Sequence, residues 1–173
     1  MSDPARRADP GRVRLAGPGD EDLVRSLRLK ALSDAEHAFD STLAREEAWG
    51  PADWERWLSN GATFVLEGHD GAAGIAAGFP HWTAKGAVLL ASMWVDPRRR
   101  GSGAADSLVG AVIQWARERG ASEVVLDVGK ENLPARRCYE RNGFRATGHE
   151  FARDRDGLVE IQMRRILDPT EAE

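Results

Sequence analysis

Apolar positions recur along this chain with two periods, and the switches between them predict its elements. Residues 12–16 (RVRLA) alternate with the period of a strand. The turn Gly17-Pro18-Gly19-Asp20 follows, with Asp20 placed as a helix N-cap. Leu23, Val24, Leu27, Ala31 and Leu32 then fall at helical spacing. Residues 34–50 are less regular. Pro51 opens a second helix, where its missing N–H does no harm, and Trp54, Trp57 and Leu58 give that helix an apolar face.

Three strands come next. Residues 62–67 (ATFVLE) and the turn His69-Asp70-Gly71 predict a hairpin with 74–82, and 87–95 is apolar enough for the centre of a sheet. Residues 101–119 predict a helix that carries Ala105, Leu108, Val109, Val112 and Trp115 on one face and is closed by Gly120. A strand over 122–128, a short helix over 132–141 ending at Asn142-Gly143, and strands over 144–150 and 158–165 complete the pattern. The order is strand, two helices, three strands, helix, strand, helix, two strands. It predicts one mixed α/β domain over 12–168, behind a polar tail at 1–11 expected to be disordered.

Composition narrows the function classes. A net charge of −4 argues against a general nucleic-acid binder. No run of about 18 apolar residues exists, so no membrane span is expected. The start, MSDPARRADPGR, lacks the apolar stretch of a secretory signal, and the lone Cys138 allows no internal disulfide; both fit a cytoplasmic setting. His37, His69, His81 and His149 lack metal-ligand spacing, so no metal is expected.

One stretch calls for chemistry. Residues 94–116, WVDPRRRGSGAADSLVGAVIQWA, run from a strand through three arginines and a glycine turn into a helix. Such a turn exposes backbone N–H groups at the positive end of the helix dipole, which suits an anionic phosphate. Glycine lets the ligand approach and tolerates positive φ. The lysine and Ser/Thr of a Walker loop are absent, and Gly101-Ser102-Gly103-Ala104-Ala105-Asp106 lacks the last glycine of a dinucleotide fingerprint. An alternative without a ligand is a tight connection beside a solvated charge run.

Arg100-Gly101-Ser102-Gly103-Ala104-Ala105 resembles the [Q/R]-x-x-G-x-[G/A] signature of the GNAT superfamily of N-acetyltransferases, and the strand ending VDP before it is one that superfamily favours. Residues 126–144 (LDVGKENLPARRCYERNGF) resemble a second segment of the family, with Asn132, Ala135, Tyr139, Glu140, Gly143 and Phe144 in register. The resemblance covers Arg12 to Arg165 and is weakest over 33–60. It implies the GNAT acyl-CoA N-acyltransferase fold, a central, mostly antiparallel sheet flanked by helices. It also implies acetyl-CoA as cosubstrate and an amine as acceptor, and it allows a homodimer. By position, Met93, Trp94 and Val95 would bond the pantetheine arm, with a break in strand pairing beyond them. Amides from Gly101 to Asp106 would hold the pyrophosphate, and Asn132 and Ala135 would contact the cofactor or fix its connection. Tyr139 would stand near the sulfur as acid.

Acetyl transfer needs a neutral amine, a stabilised oxyanion and a proton for the leaving thiolate. Many family members carry a glutamate on the strand before the glycine turn, but residues 88–95 (VLLASMWV) hold no carboxylate. Asp127 is the better base, since it lies twelve residues before the tyrosine, as does the glutamate of bacterial ribosomal-protein alanine N-acetyltransferases. His81, Glu67 and water are the other candidates. Asp106 departs from the Arg or Lys the family often has there. The acidic segment 34–47 favours a cationic small-molecule amine; a protein N-terminus is a second acceptor, and a CoA-binding module without turnover is the non-enzymatic alternative.

Overall fold

A computed structural model describes residues 11–168, so all of the expected tail but Gly11 lies outside the described residues. The elements are β1 (Arg12–Leu15), α1 (Glu21–Ala35), α2 (Leu43–Glu47), α3 (Pro51–Ser59), β2 (Ala62–Gly68), β3 (Gly71–Pro80), β4 (Ala87–Val95), α4 (Ala104–Glu118), β5 (Glu123–Gly129), α5 (Leu133–Arg141), β6 (Arg145–Ala152) and β7 (Val159–Ile166). Single 3₁₀ turns occupy Glu36–Ala38 and Pro97–Arg99. Only α2 and the 3₁₀ turns are additions to the expected order. Helix α2 lies in the irregular segment, where Thr42 caps it by accepting from the Arg45 N–H.

Seven strands form one sheet in the order β1-β2-β3-β4-β5-β7-β6, antiparallel except for the β4–β5 pair. This is the mixed, mostly antiparallel sheet that the pattern and the resemblance imply. Side chains alternate across β2: Phe64 and Leu66 pack with α4, and Val65 packs with α1 and α3. Both faces are therefore covered, which is why 62–66 is buried throughout instead of alternating.

On one face α4 sets Leu108, Val109, Val112, Ile113 and Ala116 against the sheet. The buried stripe is turned relative to the expected one, since Ala105 and Trp115 are only half-buried. The helix lies close because β3 offers glycines: a Cβ on Gly78 would come within 3.1 Å of the Trp115 ring and of Val112. On the other face, Val24, Leu27, Ala31 and Leu32 of α1 join Trp54, Ile75 and Trp94.

One expected boundary moves for a backbone reason, and one expected cap acts differently. Helix α4 begins at Ala104 rather than 101, because Gly101 and Gly103 have φ of +75° and +89°, outside the helical region. Asp20 occupies the N-cap position of α1, as expected, but its side chain does not cap the helix. Its carboxylate accepts from the Gly17 N–H at 2.9 Å and from Arg14 at 2.8 Å, closing the turn instead, and Arg14 and Gly17 hold its pKa down at about 2.

Candidate active site

The site grows from two irregularities at the centre of the sheet. The first is a β-bulge. Ile75 pairs with Trp94 and Ala77 with Ala91, so two steps along β3 face three along β4. The extra residue is absorbed at Ser92, the non-glycine described residue with a left-handed φ, 57°. A bulge re-aims the strand beyond it and takes backbone groups out of the ladder. The second is a parting of strands. β4 and β5 pair only from Ala87↔Glu123 to Leu89↔Val125 and then diverge. The gap opens at Leu90, earlier than the break expected beyond Met93–Val95.

A cleft of about 840 Å³ fills this gap. Met93, Trp94 and Val95 line one wall, Asp127 and Val128 the other. Gly101, Gly103, Ala105 and Asp106 stand at the start of α4, and Asn132, Ala135 and Tyr139 come from α5. The structure thus brings most of the expected site residues to one cavity, with Ser102 and Ala104 in the same turn. Gly103 is the N-cap of α4 and has no side chain to cap it, so the first-turn N–H groups are left for another acceptor.

The three arginines each have a carboxylate partner, although Arg98 and Arg100 stay exposed, as a solvated charge run would. Arg98 binds Asp96 at 3.0 Å, and Arg99 binds Asp70. Arg100 reaches back to Asp34 at 2.6 Å and to the Val95 carbonyl at 3.1 Å. Asp34 also accepts from the Trp94 indole at 3.0 Å, which, with Arg100, pulls its pKa below the usual carboxylate range. One carboxylate at the end of α1 therefore holds both the bulged strand and the glycine turn.

Asp106, the residue least expected in a phosphate cradle, has a structural partner. The Asn142 side chain donates to it at 2.8 Å and Arg141 at 3.3 Å, tying α4 to the end of α5. Asn132 caps α5 by accepting from the Ala135 N–H at 3.3 Å.

Tyr139 packs edge-on against Phe144, with ring centroids 5.9 Å apart. It lines the cleft, and no described residue hydrogen-bonds its hydroxyl. Burial raises its pKa well above the ordinary phenol range. Burial likewise pushes the Cys138 thiol up, which disfavours a thiolate. Asp127 also lacks a hydrogen-bonding partner among the described residues. Its side chain is open to the cleft, but protein on the other sides raises its pKa by desolvation; nearby His81 and His149 oppose the shift, and Asp40 adds to it.

The other base candidates fare differently. Glu67 binds Arg14 at 2.6 Å and lines neither cavity. His81 uses Nδ1 to accept from the Ala84 N–H at 3.0 Å and stacks on Trp82.

A second cavity, of about 980 Å³, opens on the far side of the bulge. Trp49, Trp57, Phe79 and Trp82 line it, together with Arg28, Ser41 and Glu46. The two cavities share Ala38, Phe39, Leu90, Ala91, Ser92 and Asp127. Trp94 faces the segment 33–60, its indole donating to Asp34; Trp82 lies beyond β3 in a turn and is 72% exposed beside this cavity.

The sequence reading missed Ser92, Asp34 and the buried pair Arg28–Glu46. Ser92 has no signature, because a left-handed serine looks like any serine. Arg28 did have one: it occupies a place in the apolar stripe between Leu27 and Ala31.

The model of the acetyltransferase (GNAT) family matches residues 28–144. Human N-acetyltransferase 8 is 44% identical over 64 residues, covering 37% of this chain and 28% of that protein. The streptothricin acetyltransferase of Streptomyces lavendulae is 37% identical over 92 residues, covering 52% of this chain and 48% of that protein. The chain thus spans between about a quarter and a half of the length of these relatives. A Salmonella typhimurium protein solved with its cofactor acetyl-CoA superposes with a TM-score of 0.70, at 21% identity, over 91% of this chain and 94% of that one. On the family match across two-thirds of its length, the chain belongs to the GNAT family of acetyltransferases.

Proposed function

We propose that the chain transfers the acetyl group of acetyl-CoA to the primary amine of a small molecule, directly, in a ternary complex. The meeting of two cavities at Ser92 and Asp127 carries this reading. A thioester entering from the glycine-turn side and an amine entering from the aromatic side would meet there. No covalent enzyme intermediate is needed, and the raised thiol pKa of Cys138 makes it a poor nucleophile.

The donor cavity suits acetyl-CoA. An uncapped helix start and two glycines at positive φ offer amides to a pyrophosphate, and the parted strands leave room for an extended arm. The amine nitrogen attacks the thioester carbonyl carbon, the carbon–sulfur bond breaks, and the thiolate leaves. Asp127, directly or through water, takes the proton the amine loses. A β4 N–H near Val95 meets the oxyanion, and Tyr139 donates a hydrogen bond to the departing sulfur. The small-molecule acceptor is supported by the aromatic-lined cavity and by the similarity to an acetyltransferase named for streptothricin.

The test is thiol release from acetyl-CoA across a panel of primary amines, with product mass confirming an N-acetyl group. Release that depends on a small amine is the expected outcome. Tight CoA binding with no release for any amine would overturn the reading in favour of a binding module.

A further inference from the structure

The second cavity holds two buried polar atoms that the protein leaves unused. Arg28 is 5% exposed in its side chain and makes a bidentate pair with Glu46, Nε and Nη2 each donating at 2.8 Å. Its remaining nitrogen, Nη1, is buried and has no hydrogen-bond acceptor. Ser41 Oγ is also buried and unpaired. Both residues line this cavity and not the donor cleft. Unmet buried donors are uncommon in folded proteins, because each forfeits its hydration.

The surroundings say what would meet them. Phe39 and Trp57 flank the guanidinium at 4.7 and 5.4 Å, holding its plane in place. The pair with Glu46 uses one edge of the guanidinium fork and leaves Nη1 for a second oxygen ligand. The charges are mixed. Arg28, Arg45, Arg153 and Arg155 line the cavity with Asp40, Glu46, Asp127, Asp154 and Glu160. Asp127, Asp40 and Glu160 lie near enough to repel one another, and of these Asp127 stands at the junction with the donor cleft. Asp127 thus offers an amine a carboxylate to face, in the same aromatic-lined cavity as Arg28 Nη1 and Ser41 Oγ.

The acidic segment 34–47, which in the sequence favoured a cationic small-molecule amine, is mostly engaged internally. Asp34 holds Arg100, Glu36 holds the Leu43 N–H, and Glu46 holds Arg28.

We infer that the acceptor is an amino carboxylic acid with an apolar body: its carboxylate is taken by Arg28 Nη1 and Ser41 Oγ, its amine faces Asp127, and its body lies against Trp57, Phe79 and Trp82. This rests on the transfer reading for the role of the amine, but its recognition element is separate.

Matched pairs test it: L-phenylalanine with phenethylamine, L-methionine with its decarboxylated amine, and γ-aminobutyrate with butylamine, with putrescine as the dication. Each is titrated calorimetrically into the full chain saturated with CoA, and thiol release from acetyl-CoA is measured in parallel. The acid of at least one pair should bind tenfold or more tighter than its decarboxylated partner, as expected for a charge-assisted hydrogen bond. Ser41→Ala and Arg28→Lys should each reduce that ratio severalfold; the serine variant leaves the buried ion pair intact. Equal binding within every pair, tightest binding of putrescine, a ratio that survives Ser41→Ala, or no binding by any pair overturns the inference. Thiol release without a carboxylate preference sinks this inference and leaves the transfer reading standing. A carboxylate preference without release does the reverse.

Discussion

Tyr139 and Asp127 have raised pKa values for the same physical reason and with opposite consequences. Burial favours the neutral form of both groups. For Tyr139 this keeps the proton on the hydroxyl at any working pH, so in the proposed transfer it would donate a hydrogen bond to the departing sulfur rather than surrender its proton. Tyr139→Phe should lower turnover by roughly a hundredfold or more in a chemistry-limited assay. The affinity for CoA and the melting temperature should change little, because the hydroxyl holds no partner in the fold. Unchanged turnover would remove it from the reaction. For Asp127 the shift sets a pH window. A base must be ionised, so kcat with saturating amine should rise with pH through a limb displaced above the ordinary aspartate value of about 3.9. Asp127→Asn should lose that limb. The stability sign runs the other way: the neutral form is the favoured one in the fold, so ionisation of Asp127 weakens the fold as pH rises through its raised pKa. The Asn variant should therefore be no less stable than the wild type at neutral pH, and an unaltered pH–rate profile would exclude the aspartate as base. Both residues were legible in sequence because a register runs through Asp127, Asn132, Ala135 and Tyr139. Arg28 was half-legible, as a charge in an apolar stripe. Its partner Glu46 was not, because α2 carries too few turns to show a period.

At the scale of elements, strand and helix order could be read because each element keeps one period for its length. What could not be read was the departure from regularity that makes the site. β4 is apolar but for Ser92, and a serine does not by its type announce a left-handed backbone, so VLLASMWV does not show that it bulges there or where it leaves β5. The cause is backbone conformation at Ser92, held at φ 57° by the sheet around it. A left-handed conformation costs an L-residue about 1–2 kcal/mol relative to glycine, and more for a β-branched side chain. Ser92→Gly should therefore keep or slightly raise stability. Ser92→Val should lower it by about 1–2 kcal/mol or more in denaturant unfolding, and by shifting the bulge should reduce thiol release more than Ser92→Gly does. Equal stability for the two variants would show that the bulge is not strained at this residue. The glycine turn was legible for the opposite reason: Gly101 and Gly103 are residues whose type announces the backbone they adopt.

The whole molecule is two half-sheets, β1–β4 and β5–β7–β6, that share three register pairs at one end of a seam and part at the other. Something must hold the parted end, and Arg153 does. Its side chain, 2% exposed, donates to the carbonyls of Phe39 at 2.8 Å and His37 at 2.9 Å, from the turn after α1. It also binds Asp156 at 2.6 Å and Glu160 at 3.3 Å, on the far half-sheet. No local pattern in the sequence could reveal this, since the partners lie more than a hundred residues apart. Arg153→Ala would leave Glu160 buried without its counter-charge and the His37 carbonyl without its donor, while the Phe39 carbonyl would keep only Arg155, at 2.9 Å. The expected loss is about 3–5 kcal/mol, a large fraction of the stability of an ordinary domain. The donor cleft lies on the other side of the bulge and does not use Arg153, so CoA at a hundredfold excess over its dissociation constant should still stabilise the variant by about 2.7 kcal/mol. In a domain of this size that is a rise of roughly 5–10 °C in melting temperature. The acceptor cavity, whose wall includes Phe39, Ser41 and Arg153 itself, should suffer instead, as a raised KM for the amine. Melting curves with and without CoA, read beside thiol release at low and saturating amine, decide the matter. A variant that loses its CoA-induced shift while keeping its amine KM would mean that the clasp serves the donor side, through His37 and Phe39, which line that cleft too.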